Sequence, residues 1–265
     1  MTSNHHITAA NNVLVGAAAY SRHQYLYDGR RGYLTAIPNY RSYGAALASS
    51  AVALINAATG AEMPNNATKT YTTANDGVSP IDGAGKPAVA NVGMADGKVY
   101  SVWPLDVPRN LSLNVTHATS IVAVSITVSG FDEFGAAISE TLAVTATGTT
   151  KTTAGKKAFK WILSYAITSA GDTTADTLNL GWGNVFGLRY RTTDKNQVIG
   201  MTNGVPDYTQ TIVVADDTAP SATTGDARGT FAPSVAPDAA KTYAVWQVPS
   251  DPSSVQGLFG KNASN

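Results

Sequence analysis

Alternating apolar and polar residues mark the chain beyond about residue 97 as a series of short β-strands. Every second residue from Val122 to Val128 is apolar, and the same period of two runs from Phe159 to Ile167. This is the pattern of a strand that buries one face. Turn residues at 130–135 lead into a returning strand over 138–144. Further strands are predicted at 178–182, 185–190, 197–201, 209–215 and 242–248.

Short strands separated by turn residues are typical of antiparallel sandwiches. The sequence therefore predicts a mainly β fold, with an antiparallel β-sandwich or jelly-roll-like domain over residues 97–250. Residues 1–96 are interpreted as an N-terminal extended arm, one short helix and a loop region. Residues 251–265 show no periodicity and are interpreted as a C-terminal tail.

The one predicted helix covers the alanine-rich residues 44–59. Ser42 stands where an N-cap is expected, and Gly60 where a helix ends. Apolar residues recur at helical spacing, so that one face of the helix would be apolar. The residues on that face are Leu47, Ala51, Leu54, Ile55 and Ala58.

The composition indicates a subunit of an assembly and not a free protein. Charged residues make up 14% of the chain, compared with about 25% in typical soluble domains. The formal net charge is +0, which favours association over solitary solubility and gives no global attraction to nucleic acid or membranes. We therefore expect no nucleic-acid or membrane partner. The chain has no cysteine and begins without a secretory pattern, so synthesis in the cytoplasm is expected.

Tyrosine and arginine are concentrated between residues 20 and 43. Both residue types are enriched at protein interfaces, because they bury a large area and keep a polar group. We therefore predict a subunit interface here. Arginine pairing with phosphates while bases stack on tyrosine is an alternative, and so is a surface loop without a partner. The predicted interface residues are Tyr20, Arg22, Tyr25, Tyr27, Arg30, Arg31, Tyr33, Tyr40, Arg41 and Tyr43.

Motifs of catalysis and cofactor binding were not found in the sequence. Residues 83–86 (GAGK) are superficially similar to a phosphate loop, but Pro80 and Pro87 occupy positions where such a loop needs Gly and Ser or Thr. Asp216, Asp217 and Asp226 could supply oxygen ligands to calcium, although acids in such loops are usually solvated turn residues. The prediction is a protein that is not an enzyme, with no catalytic residue, cofactor or metal site.

Ordered sequence blocks between about residues 97 and 248 resemble a β domain of tailed-bacteriophage virion proteins. Most of the blocks are short and glycine-containing, and their order along the chain carries the resemblance. They are 106–115 (DVPRNLSLNV), 126–135 (ITVSGFDEFG), 140–142 (ETL), 155–160 (GKKAFK), 175–183 (ADTLNLGWG), 186–190 (FGLRY) and 225–230 (GDARGT), followed by Asp238 and 241–243 (KTY).

The resemblance implies a head decoration or cement protein. Such a protein would bind the major capsid protein on the outer surface of the virion and bridge neighbouring capsid subunits, often as a homotrimer. Two alternatives remain open at the level of sequence. One is another virion component, such as a tail, neck or fibre-base protein. The other is a carbohydrate-binding module for host recognition, with Trp103, Trp182 and Trp246 as its aromatic platform.

Overall fold

The computed structural model shows a mainly β protein built from antiparallel sheets in a sandwich-like arrangement. It describes residues 39–58, 65–73, 86–117, 122–145, 148–170, 176–216 and 225–248. The predicted fold class is therefore confirmed. The 3-10 turn Lys195–Gln197 is capped at its start by the Asp194 side chain.

The strands follow the chain from β1 to β15. The first eight are β1 (Asn39–Ala45), β2 (Ser50–Ala58), β3 (Thr68–Thr72), β4 (Ala90–Gly93), β5 (Val99–His117), β6 (Val124–Phe131), β7 (Ala137–Val144) and β8 (Thr150–Ala154). The others are β9 (Phe159–Ser169), β10 (Asp176–Gly187), β11 (Val198–Thr202), β12 (Val205–Asp207), β13 (Thr211–Val213), β14 (Thr230–Ala232) and β15 (Thr242–Gln247).

Two layers of four strands form the sandwich. The first layer has the strand order β7-β6-β9-β3, and the second has the order β8-β5-β10-β2. The long strand β5 joins them, because its first half also pairs with β9. Both layers turn their apolar residues toward a shared core, which includes Ile126 and Ile167 from the first layer and Leu113 and Leu180 from the second. The period of two in β6 is thus explained by a core on one side. In β9 a register shift breaks the predicted alternation, so that Ile162 faces this core while Trp161 and Leu163 pack in a different cluster.

A separate four-stranded sheet has the order β1-β15-β11-β12. Its inner face packs Tyr43, Tyr243 and Val245 against Phe186 and Phe231 of the larger sheet, which forms a second hydrophobic cluster. The ring of Tyr43 stacks on Phe186 with 5.1 Å between centroids. This small sheet is attached to the end of the sandwich and contributes its own core.

The helix predicted for residues 44–59 is wrong. Residues 39–45 and 50–58 are strands β1 and β2, and β2 pairs with β10 in an irregular register. Pairing with the open edge of β10 satisfies backbone hydrogen bonds of β2, and Leu54 and Ile55 become buried. These two gains outweigh the helix propensity of an alanine-rich segment. Gly181 of β10 makes the close approach possible, because a Cβ there would lie 1.6 Å from the Ser50 carbonyl oxygen.

The sheets also begin before residue 97, where the sequence placed the start of the β domain. Strands β1 to β4 all pair with strands that lie beyond that residue. The part of residues 1–96 that the structure describes therefore contributes strands to the sheets. Residues 1–38 and the predicted tail at 251–265 lie outside the described residues.

Candidate interaction surface

Several sequence blocks that carried the resemblance meet at a buried ion pair. In the turn after β6, Asp132 accepts hydrogen bonds from the backbone N–H groups of Phe134 (2.8 Å) and Ala136 (2.9 Å) through one carboxylate oxygen. Its other oxygen accepts from the Arg228 guanidinium at 2.8 Å, and both side chains are buried. Arg228 also donates to the Leu188 carbonyl at 3.1 Å. These residues thus connect the β6–β7 turn with the segment just after β10 and the segment just before β14.

Two more acids in these blocks bind backbone amides. The Asp226 carboxylate accepts from Ala158 N–H at 3.0 Å and from Arg228 N–H at 2.9 Å. Glu140 accepts from Lys156 N–H at 2.6 Å and from Lys157 N–H at 3.3 Å. Burial raises the pKa of Glu140. In the described structure these carboxylates organise loops, as capping and turn acids do.

The predicted interface residues divide into three groups. Seven of them, from Tyr20 to Tyr33, lie outside the described residues. Arg41 and Tyr43 point inward: Arg41 is ion-paired with Glu133, and the Tyr43 hydroxyl donates to the Gly187 carbonyl at 2.8 Å. Tyr43 is 8% exposed, and burial raises the pKa of its hydroxyl. These two side chains hold β1 in place through contacts within the chain.

Tyr40 points the other way and begins an exposed apolar row across three strands. It lies opposite Trp246 of β15, which in turn lies opposite Ile199 of β11. The rings of Tyr40 and Trp246 are 5.1 Å apart, and Tyr40 and Ile199 are 50% and 43% exposed. A second row continues through Met201 and Pro206.

We call this surface the outer apolar face. Its members share the side of the four-stranded sheet that points away from the second hydrophobic cluster, and none of them is charged. They are Tyr40, Ser42, Ile199, Met201, Pro206, Ala244 and Trp246. The sequence prediction found Tyr40 but missed its neighbours. The available signal was strand β15, where the run Tyr243–Trp246 is apolar on both alternating faces.

The outer sides of the sandwich have a different chemistry. Over most of the outer side of the first layer, the positions that alternate with the core residues carry Ser, Thr and Ala, and the Thr127 and Thr141 hydroxyls are 2.9 Å apart. At one end of this side, Phe131, Trp161 and Leu163 form a separate apolar cluster. We call the set of Ser, Thr and Ala positions the hydroxyl face. In register across four strands, it comprises Ala143, Thr141, Ser139, Ser125, Thr127, Ser129, Thr168, Ala166, Ser164, Thr68, Thr70 and Thr72. The second layer presents a similar outer side with Ser112, Asn114, Thr116, Thr150, Thr152, Ala154, Thr177, Asn179 and Gly181.

A cleft of about 290 Å³ brings acids and bases together near β1. Arg41 and Glu133 form the ion pair described above, and Lys160 donates to the carbonyls of Leu105 (2.5 Å) and Asp106 (2.9 Å). Burial lowers the pKa of Lys160 and raises that of Glu133. Since each of these two groups is already engaged by a protein partner, the arrangement fits a structural junction between β1, β5 and the β6–β7 turn.

The proposed aromatic platform for carbohydrate does not form as expected. Trp103 and Trp182 are 1% and 5% exposed and belong to the sandwich core. Trp246 lies on a different sheet, beside Tyr40. A platform built from these three indoles is therefore wrong.

Among the described residues, no group of three or more His, Asp or Glu side chains is placed to hold a metal ion. In the same part of the chain, no helix has the length and apolar character needed to cross a bilayer. Of the acids considered for calcium, Asp216 accepts from the Gly225 N–H and Asp226 is engaged as above, while Asp217 lies outside the described residues.

Comparison with known proteins does not identify a family for the chain. No family model matches the chain, and no curated protein matches it. Among solved structures, it has a weak likeness to dimeric latent PorU from Porphyromonas gingivalis, with 8% identity and a TM-score of 0.19. The match covers 84% of this chain and 21% of that protein, so the chain spans about a fifth of its length. A likeness this weak supports no statement about fold or function.

Proposed function

We propose that this chain is a structural virion protein of the decoration or cement type, which binds the outer capsid surface and bridges neighbouring major capsid subunits. The observation that carries the proposal is the outer apolar face. An uncharged row of Tyr40, Trp246 and Ile199 at the end of a rigid sandwich is a suitable docking surface. The ordered blocks that resemble tailed-phage virion proteins support the major capsid protein as the partner.

Aromatic residues support this role because they dominate binding energy in protein interfaces. Trp and Tyr are enriched among the few residues that contribute most of the affinity, and these residues cluster near the centre of the contact. The Tyr40–Trp246 pair has this composition. Ile199 and Met201 add aliphatic surface beside the pair. Charged rim residues would be expected around it rather than within it.

The position of the face in the chain gives a second line of support. Tyr40 belongs to β1, the strand that directly follows the Tyr- and Arg-rich residues 20–33. An interface that uses both the face and this segment would be continuous along the chain. A stable contact requires about 800 Å² on each partner, so we expect the interface to extend beyond the outer apolar face.

The mechanism is interfacial burial. Each copy that bridges two capsid subunits adds contact area that must separate before the shell can open, and repetition over the shell multiplies a small stabilisation. Binding as a homotrimer would place several outer apolar faces on one body, which raises avidity without new contacts. No cofactor and no turnover enter this mechanism.

Charge insertion tests the proposed docking surface. Ile199→Arg places a cation in the outer apolar face, and Thr141→Arg places the same group at an exposed position of the hydroxyl face. We expect Ile199→Arg to reduce occupancy on particles that lack the native protein by at least about tenfold, because a buried unpaired charge weakens an interface strongly. Thr141→Arg should bind as the unchanged protein does. Equal occupancy of both variants would contradict the proposal.

Copy number separates the proposal from its main rival. A tail, neck or fibre-base protein would have the same need for a docking face. A decoration protein should be present in the virion at a stoichiometry near that of the major capsid protein, whereas the rival would be present in far fewer copies. Quantitative mass spectrometry of purified particles measures this ratio directly.

A further inference from the structure

A second cleft lies away from the outer apolar face. It has a volume of about 710 Å³ and lies between the turn after β4 and the β6–β7 hairpin. Small-molecule sites commonly have volumes of about 300–1,000 Å³. The backbone N–H of Ala95 donates to the Gly135 carbonyl at 3.1 Å and joins the two turns at the end of the cleft. The cleft is therefore built by two hydrogen-bonded elements.

Aromatic and aliphatic side chains form its walls. The Tyr100 and Phe131 rings have centroids 4.9 Å apart, and Leu163 lies beside them. The C–H faces of a sugar ring are apolar and pack favourably on such rings, while the ring edge carries hydroxyl groups. The walls alone would also accept an apolar side chain, so the polar groups decide between these ligands.

The polar groups favour a neutral ligand that has many hydroxyls. Among the described residues that line the cleft, Asp96 is the only charged one. It accepts a hydrogen bond from the Tyr100 hydroxyl at 2.8 Å, which lowers the pKa of the carboxyl and keeps it ionised. A carboxylate has several acceptor sites and forms strong hydrogen bonds with hydroxyl donors. Among the described residues that line the cleft none is basic, so Asp96 disfavours an anionic ligand there.

The hydroxyl face continues the cleft. Ser129 and Ser139 line the cavity and lie opposite each other, and Ser164 lies on the other side of Ser129 in the same cross-strand row. This row leads away from the aromatic walls and onto a flat surface that carries no charge and no large apolar residue. A second and a third sugar ring bound beyond the cleft would lie over hydroxyl groups that can donate and accept hydrogen bonds.

From this geometry we propose that the cleft binds a neutral oligosaccharide. One sugar ring packs against the half-buried Tyr100 and Leu163, with the buried Phe131 supporting Tyr100 from inside, and its hydroxyls lie on Asp96. The next rings lie along Ser129, Ser139 and Ser164. This function is separate from capsid docking, because the cleft and the outer apolar face share no residue. It would give a particle that carries the protein many weak contacts with glycans.

The test uses the purified full-length protein and does not require particles. A printed array of neutral oligosaccharides, with sialylated and sulfated ones beside them, should show binding to at least one neutral glycan. Calorimetric titration with that glycan should then show about tenfold weaker binding for Asp96→Asn. The double variant Ser129→Ala, Ser139→Ala should also bind more weakly. Ser112→Ala, in the outer side of the second layer, is the matched control and should bind as the unchanged protein does.

Three results would overturn the proposal. They are no binding to any neutral glycan, binding to acidic glycans alone, and binding that the cleft variants leave unchanged while their thermal unfolding midpoints match the parent. If the cleft variants instead reduced attachment to particles without any glycan binding, the cleft would be a protein-docking site. Loss of capsid attachment by Ile199→Arg with intact glycan binding would separate the two functions.

Discussion

The outer apolar face and the hydroxyl face are both solvent-facing sides of antiparallel sheets, yet they differ in what they can bind. The first presents Tyr40, Trp246, Ile199 and Met201, whereas the second presents Ser, Thr and Ala. Large apolar area is the main source of affinity between proteins. A sheet covered by short hydroxyl side chains offers little of it. Of these two surfaces, only the outer apolar face offers the aromatic and aliphatic area that protein docking uses.

The two regions also differ in how they are held. The sandwich has its core between its two layers, whereas the four-stranded sheet shares its core with Phe186 and Phe231 of the larger sheet. The Arg41–Glu133 ion pair also connects β1 to the β6–β7 turn. Changes at these connections should therefore affect the docking region most. Three predictions test this difference, in order of decreasing effect.

Truncation of the chain should give the largest effect. The sequence alone suggested that deletion of residues 1–45 leaves an intact β domain, but the structure shows that this deletion removes β1 and the buried Tyr43. Loss of a buried aromatic side chain alone costs about 3–5 kcal/mol. We expect deletion of 1–45 to lower the unfolding free energy by at least this amount in urea titrations. Deletion of 1–38 keeps every described strand and should retain a cooperative transition, with weaker attachment to particles.

Removal of the buried cation beside the β6–β7 turn should give the next largest effect. Arg228→Ala leaves Asp132 buried without its cationic partner, and such a change destabilises by about 3–5 kcal/mol. Urea unfolding measures the loss. The control is Lys241→Ala, which removes an exposed ion pair with Asp238 and should change stability little. A small effect of Arg228→Ala would show that the buried pair does not hold the β6–β7 turn to the segment before β14.

A change at the contact between β2 and β10 should give the smallest of the three effects. Gly181→Ala forces a Cβ against the Ser50 carbonyl and should destabilise by about 1–3 kcal/mol. Gly93→Ala is the control, because a Cβ at that position meets nothing within 4 Å. Thermal unfolding of both variants compares them. If Gly181→Ala were neutral, β2 would not pair closely with β10.

The strands of the sandwich were predictable because one face is buried and the other is polar. Residues 122–128 and 159–167 show this alternation, and they form β6 and β9 within about two residues of the predicted positions. Strand β2 was not predictable in this way. Its residues 53–55 are all buried and its register is irregular, so the period of two is lost and the alanine-rich composition indicated a helix.

The candidate surface was only partly predictable. Tyr40, Arg41 and Tyr43 are close in sequence, but alternation along β1 sends Tyr40 outward while Arg41 and Tyr43 face the interior. Composition cannot separate these roles. The neighbours of Tyr40 come from β11 and β15, more than 150 residues further along the chain. They meet only through sheet pairing, which no local pattern specifies.

The most direct measurement of the central claim is a cryo-microscopy map of the parent particle at side-chain resolution. The account predicts that the protein covers the capsid at high copy number, with Tyr40, Trp246 and Ile199 pressed against the major capsid protein. The hydroxyl face should point toward solvent. A map in which the outer apolar face is open to solvent while another side of the sandwich contacts the shell would contradict the account.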